Sequence, residues 1–206
     1  MLIIGLTGSI GMGKSTAAAH LRTRGVSVLD ADAVVHALYR GKAVPLVDAA
    51  FPGTTQDGAI DRARLLAAIT AVPDGFKRLE AIVHPLVRAA ECDFLVTEFA
   101  RGATLAALEI PLLFETGGDA MVDVTIVVSA PAEVQRQRVL ERPGMTAAKL
   151  AEILARQLPD AEKRARADYV VDTSGTLPET EAQIDKLLAA LRGRVGSAYH
   201  RCWAGA

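Results

Sequence analysis

The sequence predicts an α/β fold in which about five parallel strands are flanked by helices, as alternating strand and helix signals require. Three observations predict it. Short apolar runs of strand length recur along the chain, separated by helix-forming stretches. Half of the residues are hydrophobic but only 4% are aromatic, so Ala, Leu, Ile and Val must fill the core; that composition suits helices packed on both faces of a buried sheet. A glycine-rich turn lies between the first strand-like run and the first helix-like one.

Taken in order, Leu2-Ile3-Ile4-Gly5-Leu6-Thr7 reads as a buried first strand. Thr16-Ala17-Ala18-Ala19-His20-Leu21-Arg22 is rich in strong helix formers. Gly25 stops that helix, and Val26 to Leu29 reads as the second strand, ending in Asp30-Ala31-Asp32. Further strands are expected at 105–110, closed by Pro111, at 124–129 and at 169–172. Ile184, Leu187, Leu188 and Leu191 fall at i, i+3, i+4, i+7 and form the apolar stripe of a final helix.

Two segments break the alternation. Residues 34–100 carry no convincing strand and read as helices with turn signals at Phe51-Pro52-Gly53, Asp57-Gly58 and Pro73-Asp74-Gly75. Residues 135–166 read as helical and hold Arg136, Arg138, Arg142, Arg156, Arg164 and Arg166. The expected organisation is an α/β core of 1–32, 101–134 and 167–206 with two helical insertions, 33–100 and 135–166.

The glycine-rich turn carries the clearest chemistry. Gly8-Ser9-Ile10-Gly11-Met12-Gly13-Lys14-Ser15-Thr16 fits G-x-x-x-x-G-K-[ST], with a strand before it and a helix after it, the context that motif needs. Glycines admit left-handed backbone angles, so successive N–H groups can turn toward phosphate oxygens. The helix N-terminus adds partial positive charge. Gly8, Gly11, Met12, Gly13, Lys14, Ser15 and Thr16 are thus the expected contacts to a nucleoside triphosphate. Lys14 would reach the β- and γ-phosphates, and the Ser15 hydroxyl would ligate Mg²⁺. A glycine-rich turn that matches by accident is the bland alternative, and the flanks argue against it. The motif leaves open what happens to the γ-phosphate.

Other residues admit two readings each. Asp30 and Asp32 close the second strand, where ligands of a parallel sheet bind. One of them could orient an acceptor hydroxyl and take its proton, or hold metal-bound water; either could instead cap the following helix. Glu109 and Glu115 flank Pro111 and could polarise metal-bound water or be a strand exit with a solvated acid. Arg138 and Arg142 are four residues apart and are expected on one helix face. Guanidinium groups match phosphate geometry, and a mobile lid carrying them would exclude water; a solvated pair is the alternative. Arg62 could clamp a substrate phosphate or pair with Asp61. His84, before Pro85, reads more simply as structural.

The formal net charge is −1, so no basic excess points to a nucleic-acid partner. Cys92 and Cys202 stand in no metal-ligand spacing and are expected as reduced thiols. No signal-like start and no membrane-length apolar run is read, so a soluble cytoplasmic protein is expected.

Together these residues resemble the dephospho-CoA kinases over nearly the whole chain. The resemblance rests on the phosphate loop, Val28-Leu29-Asp30-Ala31-Asp32, Gly58-Ala59-Ile60-Asp61-Arg62-Ala63-Arg64-Leu65 and Leu79-Glu80-Ala81-Ile82-Val83-His84-Pro85. It continues through Pro111-Leu112-Leu113-Phe114-Glu115, Gln135-Arg136-Gln137-Arg138, Arg142 and Ala155-Arg156-Gln157. It implies a P-loop kinase that uses ATP with Mg²⁺ to phosphorylate the ribose 3′-hydroxyl of 3′-dephospho-CoA, giving coenzyme A and ADP in the last step of coenzyme A synthesis. It implies Asp32 as the catalytic carboxylate beside Lys14 and Arg138, Arg142 on the nucleotide, and Asp32, Arg62 and His84 on the acceptor side. The core becomes the nucleotide-binding domain, the 33–100 insertion the substrate domain and the 135–166 insertion the lid. The implied partners are ATP and 3′-dephospho-CoA, with no nucleic acid or membrane, in a monomer or small homo-oligomer. Ser9 and Met12 stand where many members have glycine and serine, and Asp172-Thr173 replaces a frequent Asp-Asn. Rival readings are another small-molecule kinase, such as a nucleoside monophosphate or sugar kinase, a partner-dependent ATPase, and a GTPase-like switch. The last lacks the Asn/Thr-Lys-x-Asp guanine motif; Asp172-Thr173-Ser174-Gly175 matches Asp-x-x-Gly but lies after the last strand.

Overall fold

The computed structural model describes residues 1–205. Strand β1, Leu2–Thr7, is buried at every position, and the sheet extends from it on both sides. The chain divides into two compact units, Met1–Leu29 with Leu95–Gly205, and Asp30–Phe94. Helix α5 (Gly75–Ala100) runs through that boundary. No helix among the described residues is long and apolar enough to cross a membrane.

The first unit is built on a five-stranded sheet. Its strands are β1, β2 (Ser27–Asp30), β5 (Leu105–Glu109), β6 (Val124–Ser129) and β7 (Tyr169–Asp172), in spatial order β2-β5-β1-β6-β7. β1 pairs in parallel with β5 and β6, and β6 with β7. β1 and β6 are mostly apolar and buried at every position, the signature of a sheet covered on both faces. The chain leaves β1 toward β2 on one side and leaves β6 toward β7 on the other. Their carboxyl ends therefore flank a topological switch point, where open α/β sheets bind ligands.

Helices α1 (Lys14–Thr23) and α9 (Leu177–Leu191) share one core with the sheet. Ala17, Ala18 and Leu21 of α1 and Ile184, Leu187, Leu188 and Leu191 of α9 bury against Leu2, Ile4 and Leu6. The expected stripe on α9 is thus the one that packs. At its margin, Arg24 donates from Nε and Nη2 to the two Asp185 oxygens at 2.7 and 2.6 Å. His20 Nε2 lies 2.9 Å from the same carboxylate. The Arg24 fork, then His20, holds the Asp185 carboxyl below the usual range.

The segment between β6 and β7 folds into α6 (Ala132–Leu140), α7 (Ala147–Leu154) and α8 (Asp160–Arg166). One expectation fails here. α6 ends at Leu140, so Arg142 lies in the following turn and does not share a helix face with Arg138. The reason is Pro143. It offers no N–H and disfavours helical angles at the residue before it.

The second unit has its own core of Leu38, Val47, Phe51, Ile60, Leu65 and Ile69, joined by Phe76 and Leu79. It holds α2 (Ala31–Leu38), α3 (Val44–Ala50), α4 (Arg62–Thr70) and most of α5. It also contains a hairpin of β3 (Thr55–Gln56) and β4 (Ala59–Ile60), where only helices and turns were expected. Each strand has two residues, too short to show alternation. Asp57 and Gly58, read as a turn, take φ of 50° and 75°, the paired positive values that a two-residue hairpin loop requires. Pro85 lies inside α5.

Glu91 of α5 is buried, with Arg88 as its ion-pair neighbour at 3.6 Å. Burial pushes its carboxyl above the ordinary range, and Arg88 only partly opposes this. The folded state therefore keeps the Glu91 proton longer than the unfolded chain does. Glu91 weakens the fold as pH rises through its raised value and has no such effect below the unfolded value. Glu91→Gln is expected to raise Tm at about pH 8, with the gain vanishing near pH 4, where glutamates take up protons. Thermal denaturation across that range checks it.

Candidate active site

The loop between β1 and α1 must keep its N–H groups available, so its backbone is held largely from outside. Gly11 takes φ +77°, and a Cβ there would lie 2.5 Å from Val139 Cγ2 and 3.2 Å from Gln135 O. Only glycine fits where α6 closes on the loop. Gly13, also left-handed at φ 86°, is the N-cap of α1. The first helical bond runs from Ala17 N–H to Gly13 O, so the N–H groups of Lys14, Ser15 and Thr16 precede the intrahelical ladder. Lys14 Nζ donates to Gly8 O at 2.7 Å, spanning the loop back to its first residue. Ser15 and Thr16 are exposed in the first turn of α1.

Four residues outside the loop grip it. Gln135 Nε2 donates to Ile10 O at 2.8 Å, and Ile10 N–H donates to Gln157 Oε1 at 3.2 Å. Ala130 N–H donates to Met12 Sδ at 3.1 Å. Thr173 Oγ1 lies 3.0 Å from Met12 O and 3.2 Å from Ser129 O, so its single proton sits between two carbonyls. Met12 is buried, and its sulfur and carbonyl both serve this anchoring.

Arg138 donates from Nη2 to Thr173 O at 2.6 Å and from Nη1 to Thr173 Oγ1 at 3.3 Å. The departure at Thr173 therefore joins the loop, the end of β6 and the Arg138 guanidinium. Arg142 is exposed, its N–H donating to Val139 O at 3.1 Å.

Glu109 is buried at the end of β5, level with Leu6 of β1. Glu115 is largely buried rather than a solvated strand-exit acid. Its Oε1 accepts from Leu158 N–H at 2.8 Å and pairs at 2.8 Å with Lys163 Nζ, which is fully buried. Lys163 is the residue that sequence reasoning missed. It sits in the charged run Asp160-Ala161-Glu162-Lys163-Arg164, which reads as a solvated face.

In the second unit, Asp30 is the cap of α2. Its Oδ1 accepts from Asp32 N–H at 2.9 Å and Ala33 N–H at 3.1 Å. Asp32 stands exposed in the first turn, where negative charge suits the helix dipole. Asp61 likewise caps α4 through Ala63 and Arg64 N–H, both at 2.9 Å. Arg62 meets His36 instead, Nη2 to Nδ1 at 3.1 Å. A guanidinium can only donate, so Nδ1 is the acceptor and the ring proton is on Nε2. His36 is one helical turn from Asp32, so the two share a face of α2. Burial pushes the Tyr39 phenol up, opposed by the nearby Arg62 charge. His84 is exposed on α5.

No group of three or more His, Cys, Asp or Glu among the described residues could hold a metal ion. The Ser15 hydroxyl, at the start of α1, fits a Mg²⁺ ion that is bound chiefly through phosphate oxygens and keeps few protein ligands.

Comparison with known proteins agrees with this geometry. The family model for dephospho-CoA kinase matches residues 2–179. A dephospho-CoA kinase of Rhizobium etli is 57% identical over 195 residues, covering 95% of this chain and 96% of the relative. One from Mesorhizobium japonicum is 56% identical over 197 residues, covering 96% and 100%. A solved structure from Thermus thermophilus superposes with a TM-score of 0.79 at 40% identity, covering 93% of this chain and 98% of that one.

Gly11→Ala is expected to weaken Mg·ATP binding by roughly tenfold or more, since both φ and the Val139 contact forbid a methyl group there. Calorimetric titration of the folded variant checks it.

Proposed function

The chain belongs to the dephospho-CoA kinase family, and from that premise we propose that it transfers the γ-phosphoryl group of ATP to the ribose 3′-hydroxyl of 3′-dephospho-CoA, releasing coenzyme A and ADP. The observation that carries this reading is the Gly8–Thr16 loop, pinned from outside with the first N–H groups of α1 beyond its helical ladder. Such a loop cradles polyphosphate.

In this reading Lys14 exchanges the Gly8 carbonyl for the β- and γ-phosphate oxygens. Gly8, Gly11, Met12, Gly13 and Thr16 supply the rest of the cradle. Ser15 is the protein ligand to Mg²⁺, which neutralises phosphate charge when bound. Asp32 orients the acceptor hydroxyl and receives its proton. A loose phosphoryl-transfer transition state asks little base strength of it, so an exposed carboxylate suffices. Arg138, already ordered on Thr173, faces the charge that develops on the transferring group, and Arg142 closes on the nucleotide. Arg62, with His36 behind it, and His84 bind anionic groups of the acceptor. Residues 135–166 act as lid and residues 33–100 as acceptor-binding domain. We read the enzyme as cytoplasmic, consistent with Cys92 and Cys202 forming no disulfide among the described residues.

The test is ADP release with Mg·ATP, with and without 3′-dephospho-CoA. Acceptor-dependent release with coenzyme A formed one-for-one is expected. Equal release without acceptor would identify an ATPase. Absence of release in both, with turnover on a nucleoside or sugar acceptor, would identify a different kinase. Asp32→Asn is expected to keep nucleotide affinity and lose about 10²–10⁴ in kcat, the range for a lost proton acceptor. A near-parental kcat removes Asp32 from the mechanism.

A further inference from the structure

The fully buried Lys163 has no part in the reaction as described, yet its bonds lead to the phosphate loop by two routes. Lys163 Nζ pairs with Glu115 Oε1 at 2.8 Å and donates to Pro111 O at 3.2 Å. Pro111 O also accepts from Thr7 Oγ1 at 3.2 Å, and Thr7 immediately precedes Gly8. On the other side, Glu115 Oε1 accepts the N–H of Leu158. The residue before Leu158 is Gln157, whose Oε1 holds Ile10 N–H within the loop. One carboxylate oxygen thus joins the stem of the 135–166 segment to the loop that cradles phosphate. The other oxygen, Glu115 Oε2, is buried with no hydrogen-bond partner among the described residues. The grip runs through Oε1.

We propose that Glu115 is a positioning residue of the phosphate-binding site: its Oε1, seated against the buried Lys163, accepts from the Leu158 peptide and thereby holds Gln157 against Ile10. Stability alone does not explain the pair. Two apolar residues of similar volume commonly stabilise a fold as well as a buried ion pair does, whereas an ion pair fixes one arrangement of its neighbours. Here the neighbour fixed is the peptide that carries Gln157. Displacing the loop by about an ångström is enough to lower rate strongly. Glu115 does not touch substrate in this scheme; it acts through Leu158 and Gln157.

The inference rests on the kinase reading for turnover but not for binding, so the experiment reads both. Two neutral replacements of the pair are compared, Glu115→Leu with Lys163→Met, and Glu115→Gln with Lys163→Met. The first removes the acceptor for Leu158 N–H, and the second keeps it. Neither leaves a lone buried charge. Gln157→Leu, on a partly exposed side chain, is the third variant. Affinity for Mg²⁺ with the non-hydrolysable analogue AMP-PNP is measured by calorimetry, with Tm and kcat alongside. The Leu/Met pair and Gln157→Leu are expected to lose roughly tenfold or more in affinity and kcat, and the Gln/Met pair to stay within about threefold of the parent. Matching values for the two pairs would overturn the proposal, because the Leu158 acceptor would then be immaterial. So would parental affinity in Gln157→Leu, which decides the matter should either double variant fail to fold. A parent that binds the analogue but shows no acceptor-dependent turnover would refute the kinase reading and leave the affinity comparison intact.

Discussion

A loop that offers its backbone N–H groups to a ligand cannot use those groups to hold itself in shape. Most of the first unit follows from that constraint. Between Gly8 and Thr16 the chain closes few bonds of its own, such as Met12 N–H to Ser9 O and Lys14 Nζ to Gly8 O. Its form comes from Gln135, Gln157, Ala130 and Thr173, each reaching in from a different part of the chain. The sheet order makes this feasible. β1 is central, β6 is its neighbour, and the exits of β6 and β7 bring Ala130 and Thr173 to the same end of the sheet as the loop. The clearance at Gly11 is the steric counterpart, because α6 presses on the loop too closely for any side chain.

Rigidity there has a cost. A net intramolecular hydrogen bond is worth about 1 kcal/mol, while an orphaned buried polar group costs about 1–3 kcal/mol. One oxygen each of Glu115 and Asp160 is such an orphan among the described residues, and the other Asp160 oxygen accepts from Ser129 Oγ. Removing only one partner of the Lys163–Glu115 pair would be far worse than either orphan, at about 3–5 kcal/mol. The region therefore tolerates replacement of both residues better than of one.

The fold was largely legible because its central strands are buried on both faces and so appear as continuous apolar runs. β5, β6 and β7 lie where Leu105, Val124 and Tyr169 begin such runs, and Gly8 to Thr16 stood out through its flanks as much as its motif. What stayed hidden depends on contacts between distant residues. Lys163 looked like any lysine in a charged helix, since nothing near it in sequence announces Glu115. Gln135 and Gln157 were visible only as parts of a resemblance, with no role attached. Thr173 was read as a departure, although its hydroxyl is a junction. The Thr55–Ile60 hairpin was too short for periodicity, and the placement of Arg142 turned on Pro143, a local signal that the four-residue spacing outweighed. Asp30 and Asp32, ambiguous as neighbours, separate cleanly once Asp30 is found capping α2.

The break in α6 at Pro143 gives two nearby arginines different thermodynamic characters. Arg138 is held at two points on Thr173, so much of its side-chain freedom is already lost in the unliganded protein. Arg142, exposed beyond the helix end, keeps its freedom until something orders it, at a cost of about 1.5–2 kcal/mol for a long side chain. A contact made by Arg138 therefore carries less of this ordering penalty. One made by Arg142 carries an entropic penalty that grows with warming. One guanidinium is thus set before any ligand arrives, and the other is not.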